Sequence, residues 1–185
     1  DELSAKISKK FKIKNTCGYS LNSLVDFDDV FEVLQHLIIG SEGTLAFIKE
    51  ITYNTVVDHP NKASALVFFK DTKEACDAVT ILKQATHIKV DAVELMDRIA
   101  LKSIENEKGM PAYLKDLSSD VCSLLIETRA GNKEDLAQQT AQIKELLKEA
   151  QTVREIEFTD IEAEYSLFWK IRKGLFPAVG AVRET

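Results

Sequence analysis

"ASALVFFKDTKEACDAVTILKQA", Ala63–Ala85, decides the fold. Its first eight residues are mostly apolar and rich in β-favouring types, which predicts a strand over Ala63–Lys70. Asp71, with Glu74 three positions later, then opens a helical run over Asp71–Ala85 in the pattern of a capping box. His87–Met96, "HIKVDAVELM", alternates and predicts a second strand. A short helix over Asp97–Glu107 and a loop at Gly109–Pro111 lead to a second copy of the arrangement. That copy is a strand over Val121–Thr128, a helix over Asn132–Ala150 with Leu136, Thr140, Ile143, Leu147 and Ala150 on its apolar stripe, and a strand over Thr152–Thr159. Two β-α-β units joined by a helix predict an α+β, ferredoxin-like sandwich, a mainly antiparallel sheet with helices on one face.

Working outward, His59-Pro60-Asn61 breaks the chain and sets an expected boundary between residues 1–60 and 61–185. Residues 1–25 read as irregular or short-strand structure with a turn at Cys17-Gly18. Asp26–Asp29 supplies acidic residues suited to a helix start, and Val30, Phe31, Leu34, Leu37 and Ile38 follow at helical spacing. Gly40 is the expected stop of that helix. From Thr44 onward Leu45, Phe47, Ile51 and Tyr53 predict a strand. At the other end a helix is expected over Asp160–Gly174. A helical wheel started at Ile161 gathers Tyr165, Phe168, Arg172 and Leu175 on one arc. A guanidinium in an apolar arc needs a partner, and no acid of the same helix shares that arc, so the partner must come from another element or from a ligand.

Composition excludes several classes. A net charge of −6 and a pI near 5.2 argue against sequence-independent nucleic-acid binding, and the five lysines between Lys6 and Lys14 read as a solvated edge. Cys17, Cys76 and Cys122 are odd in number, far apart and outside metal spacing, which fits reduced thiols in a cytoplasmic protein. His36, His59 and His87 show no metal spacing either. No apolar run approaches the roughly 20 residues a membrane helix needs. No signal peptide opens the chain. A start without methionine and an end at "GAVRET" suggest a piece cut from a longer protein. There is no Walker loop, no G-x-G-x-x-G opening a helix and no nucleophile elbow. The turn Gly40-Ser41-Glu42-Gly43-Thr44 stands between two readings, a plain helix stop with strand entry or a bare backbone wall against a ligand.

"NTCGYSL…HLIIGSEGTLAFIKEIT" resembles the end of the flavin-binding domain in the FAD-linked oxidase family, which includes D-lactate dehydrogenases, the flavin-binding chain of glycolate oxidase and D-2-hydroxyglutarate dehydrogenase. Asn15, Thr16, Gly18 and Tyr19 match the family pattern, as do Gly40, Ser41, Glu42, Gly43, Thr44 and Leu45. Ala46 departs from the commoner glycine, and the segment from Asn22 to about Gln35 is longer than in the shortest members. "LFWKIRKGLFPAVGAVR" is similar to a Leu-Trp-x-Ile-Arg helix of the family's substrate, or cap, domain.

The resemblance implies that residues 1–60 end an FAD-binding domain and that 61–185 form a truncated cap domain. It implies FAD against Tyr19, Gly40, Ser41, Glu42, Gly43 and Thr44, with Arg172 gripping the carboxylate of a 2-hydroxy acid bound between flavin and cap. It also implies electron delivery from the longer protein to a quinone, cytochrome or iron–sulfur partner. On this reading the general base and the main phosphate-binding loops lie outside the chain, no catalytic residue lies within it, and the chain alone is inactive and flavin-free. The expected location is cytoplasmic, with room for peripheral attachment at the inner face of a membrane. The rival expectation is a non-catalytic ferredoxin-like binding or interaction module whose glycine turn is only a cap.

Overall fold

The computed structural model describes residues 2–15, 17–106 and 110–181, and side chains only as far as 175. The chain divides into two compact units, Asp1–Val56 and Val57–Thr185.

The second unit holds the sheet. Strands β1 (Asn61–Phe69), β2 (Ala92–Met96) and β3 (Cys122–Ala130) stand in the order β1-β3-β2, with both outer strands antiparallel to β3. Helix α4 (Thr72–Gln84) follows β1, and its cap is the one the sequence announces, since the Asp71 side chain accepts from the Glu74 amide at 2.9 Å. Helix α5 (Arg98–Ile104) is capped by Asp97 and α6 (Lys133–Leu146) by Asn132 in the same way. These short polar side chains satisfy amide groups that the first helical turn leaves without a partner.

The expected covering of one sheet face by helices is corrected. Almost every residue of β3 is buried, so both faces of the sheet need cover. On one face Ala65, Val67, Phe69, Leu124 and Ile126 pack with Ala75, Ala78 and Leu82 of α4 and Ile143 of α6. On the other, Phe68 and Leu125 pack with Leu101 and Ile104 of α5 and with Ile171 of α7 (Glu162–Ala181). Leu114, from the 3₁₀ turn Ala112–Leu114, joins that second core.

Three expected elements change in this unit. Residues 87–91 form a turn and loop, with the Ile88 amide donating to the Ala85 carbonyl, and β2 begins only at Ala92. The segment 152–159 touches β1 at two isolated antiparallel bridges, Phe69↔Thr152 and Ser64↔Thr159. Between those bridges it leaves the ladder, and Arg154 lies 4.3 Å over the Tyr113 ring. The helix that follows starts at Glu162 and runs past the expected end at Gly174. The expected end of α5 at Glu107 and the loop residue Gly109 lie outside the described residues.

The first unit corrects the reading of residues 1–25 as irregular or strand. Glu2–Phe11 is helix α1, with Leu3, Ile7 and Phe11 recurring every four residues and Lys9 and Lys10 in the last turn, where the dipole favours cations. A single turn, α2 (Ser23–Asp26), precedes α3 (Val30–Ile38), whose Asp29 cap accepts from the amides of Phe31 and Glu32. The strand expected from Thr44 is not formed. A strand needs a neighbour to complete its ladder, and residues 45–59 find none among the described residues, so Phe47 and Tyr53 stand exposed. Val30, Phe31 and Leu34 of α3 are exposed as well.

Candidate functional site

The glycine turn is a bend built on left-handed backbone. Gly40 has φ +83°, Glu42 φ +52° and Gly43 φ +80°. Side chains strain at such angles and glycine does not, which accounts for two of the five residues without any ligand. The stretch around Gly18 (φ +77°) is tied against the bend. The Ser20 hydroxyl donates to the Ile39 carbonyl at 3.2 Å, and a Cβ on Gly40 would lie 3.9 Å from the Gly18 carbonyl oxygen. Thr44 Oγ1 donates to the Ser41 carbonyl at 2.6 Å, so the Tyr19 phenol, 2.9 Å from the same oxygen, is the donor between them. The structure therefore brings Tyr19, Gly40, Ser41, Glu42, Gly43 and Thr44 together. Thr16 of the same motif lies outside the described residues.

The groups left over indicate how such a bend would meet an anion or a flat ring. The amides of Ser41 and Thr44 are bonded within the bend, to the carbonyls of Ile38 and Ser41. Those of Glu42 and Gly43 have no partner among the described residues. Successive amides in this conformation form a small anion-binding concavity. A Cβ on Gly18 or Gly43 would meet nothing within 4 Å, so open space lies beside both. A cavity of about 730 Å³ adjoins the bend, lined among others by Ile38, Ser41, Gly43, Phe47 and Tyr53. Donors, bare backbone and an adjacent cavity fit a cofactor wall. Ser41 is buried and the Thr44 hydroxyl already bonded, so of the groups expected to face a ligand the backbone is the better fit than the hydroxyls.

Arg172 corrects one premise. The wheel started at Ile161 sets the arc wrongly, because Ile161 precedes the helix and is exposed. The buried stripe of α7 centres on Ile171, flanked by Phe168 and Leu175. Arg172 lies beside that stripe with its side chain 42% exposed, and its Nη2 donates to Glu94 Oε2 of β2 at 3.1 Å. The cation is thus neither deeply buried nor without a carboxylate.

A second carboxylate organises this face, and nothing in the local sequence pattern singles it out. Glu127 of β3 is 2% exposed. Its Oε1 accepts from Arg129 Nε at 2.6 Å, and its Oε2 accepts from Ser64 Oγ at 3.0 Å and from the indole N–H of Trp169. Arg129 also reaches Asp58 at 3.2 Å, and the carboxylate beside it raises its pKa further. Lys62, Arg129, Lys170 and Lys173 line a cleft of about 520 Å³ next to Glu127 and Trp169. Among the described residues no group of His, Cys, Asp and Glu could hold a metal ion, and no helix is long and apolar enough to cross a membrane.

Residues 58–185 match the model of the FAD linked oxidases, C-terminal domain. The chain belongs to the FAD-linked oxidase family. FAD is the cofactor from which that family takes its name. The chain is 29% identical over 150 residues to a D-lactate dehydrogenase of Anaerostipes hadrus, covering 80% of this chain and 31% of that protein. It is 31% identical over 140 residues to the mitochondrial D-lactate dehydrogenase [cytochrome] of Arabidopsis thaliana, covering 76% and 23%. The glycolate oxidase subunit GlcD of Escherichia coli K12 is 27% identical over 148 residues, covering 79% and 28%. The chain thus spans about a quarter to a third of the length of these relatives. By their names these relatives are dehydrogenases of D-lactate or a subunit of an oxidase of glycolate.

Proposed function

We propose that this chain is part of a flavin-dependent D-2-hydroxyacid dehydrogenase of the D-lactate dehydrogenase type. The observation that carries the reading is the family match over 58–185, joined to a glycine bend whose amides at Glu42 and Gly43, without a partner among the described residues, fit a cofactor wall. In this reading residues 1–60 end the FAD-binding domain and 61–185 belong to the cap domain. The 152–159 segment, bridged to the outer side of β1, takes the place of the fourth strand of a ferredoxin-like sheet.

Tyr19 and Gly40–Thr44 would hold the cofactor, the backbone of Glu42 and Gly43 donating and the glycines permitting close approach. When bound, FAD supplies the acceptor for the hydride that leaves the hydroxyl-bearing carbon. Arg172 would receive the substrate carboxylate through a charge-assisted pair and so orient the acid. A single contact to Glu94 leaves its other guanidinium N–H groups without a partner among the described residues. The chain supplies no general base in this reading. A quinone, a cytochrome or an iron–sulfur domain would accept the electrons, in a cytoplasmic or membrane-peripheral setting.

The test is dye-coupled turnover of the full-length protein with D- and L-2-hydroxy acids, alongside the Arg172→Met variant. D-selective oxidation is expected, with a fall in kcat/KM worth about 1–3 kcal/mol of transition-state binding in the variant, the scale of a lost hydrogen bond to a charged group reduced by screening at an exposed site. Wild-type kinetics in the variant would remove Arg172 from the site. Absence of hydroxy-acid oxidation would remove the function. The 185-residue chain alone is expected to show no turnover.

A further inference from the structure

The two carboxylates on the α7 face of the sheet divide their work unequally. In the β2–β3 register Glu94 lies opposite Leu125 and Glu127 opposite Ala92, so the two are diagonal neighbours on one face, about 7–8 Å apart by sheet geometry. Trp169 and Arg172, which they meet, are three residues apart on α7, one after the other along the same flank. Glu127 is buried and bonded to Ser64, Arg129 and Trp169, and it ties the helix to the sheet. Glu94 is 37% exposed, bonds only the Nη2 of Arg172 among the described residues, and adds little anchoring that Glu127 does not already provide.

We propose that Glu94 is a positioning residue that holds the Arg172 guanidinium in the orientation that receives a substrate carboxylate. This rests on the reading of Arg172 given above. An arginine on a flexible stem loses much rotamer freedom when it binds an anion, and a carboxylate fixed on a strand removes that freedom beforehand. Contact at one terminal nitrogen leaves the rest of the planar fork for a second oxygen pair. Glu94 also repels an incoming anion. At two side chains each about 40% exposed both that repulsion and the pairing with Arg172 are screened, and orientation is gained in addition through the hydrogen bond itself.

The two effects have opposite signs, and binding separates them. The experiment compares the full-length flavoprotein with its Glu94→Gln, Glu94→Asp and Arg172→Met variants. Oxalate affinity is read from the flavin absorbance, kcat and KM are measured with D-lactate, and hydrogen exchange of the α7 amides reports the helix anchor. Glu94→Gln is expected to weaken oxalate binding and raise KM by about ten-fold, more than it changes kcat, with α7 hydrogen exchange as in the wild type. Glu94→Asp, which keeps the charge but retracts it by one methylene, falls between them and decides the matter if Glu94→Gln does not fold. Oxalate bound as tightly or more tightly by both Glu94 variants, while Arg172→Met weakens it, would overturn the positioning role and leave the reading of Arg172 standing. Unchanged binding in Arg172→Met would overturn that reading itself.

Discussion

Replacing Glu127 by glutamine changes one buried oxygen into an NH₂ group and leaves the volume almost unaltered. The three side chains that meet this carboxylate all donate, Arg129 to Oε1 and Ser64 and Trp169 to Oε2. Glutamine offers one acceptor oxygen, so its NH₂ must face a donor whichever way the amide turns. Turned toward Ser64 and Trp169 it leaves the indole N–H without an acceptor, at a cost of about 1–3 kcal/mol. Turned toward Arg129 it loses an ion pair whose arginine is 36% exposed, and screening reduces that loss to about 1 kcal/mol or less. The bonds that remain fall from charge-assisted to neutral, about 1 kcal/mol more. The amide takes the cheaper of the two orientations, so the total is about 1–2 kcal/mol. Trp169 is the sole tryptophan and belongs to the sheet unit, so its emission during urea unfolding reports that unit directly. A change under about 0.5 kcal/mol, the scale of an ordinary surface substitution, would refute the organising role of this carboxylate on the α7 face.

Cys17 and Cys76 are exposed and Cys122 is buried, so a thiol reagent is expected to titrate two cysteines in the native protein and the third only after denaturation. Burial raises both the Cys122 thiol and the Tyr113 phenol above their ordinary values, with Arg154 partly offsetting the shift on Tyr113. Their stabilising effect is complete below the unfolded pKa and lost as pH rises through the folded one, so the urea midpoint should fall from about pH 9 upward, and less so in Cys122→Ala measured against its own neutral-pH value. Gly43→Ala has room for its Cβ but φ +80°, so it should cost about 1 kcal/mol through the backbone alone and be visible in thermal unfolding of the first unit. Leu125→Ala, at a side chain with no exposure in the core under α7, should cost about 2–5 kcal/mol in urea unfolding.

What could be read from the sequence was local. Asp71, Asp97 and Asn132 cap helices within three residues of themselves, and β1 and β3 are runs that few other arrangements would bury. Gly40 and Gly43 announced a bend for the same reason, since positive φ is a property of the residue. The cover on the second sheet face depended on contacts between α5 and α7, far apart in sequence. The pairing of Arg172 with Glu94 spans 78 residues, and that of Trp169 with Glu127 spans 42, and no periodicity carries such information. Residues 44–53 failed as a strand for a related reason: alternation describes what a segment could pair with and supplies no partner.

Flavin-dependent oxidation of a D-2-hydroxy acid is tested most directly by the visible spectrum of the full-length protein before and after anaerobic addition of D-lactate. A yellow protein is expected, whose flavin band bleaches with the D-acid and persists with the L-acid. A colourless protein that takes up no FAD, or a flavin band indifferent to every 2-hydroxy acid, would contradict it.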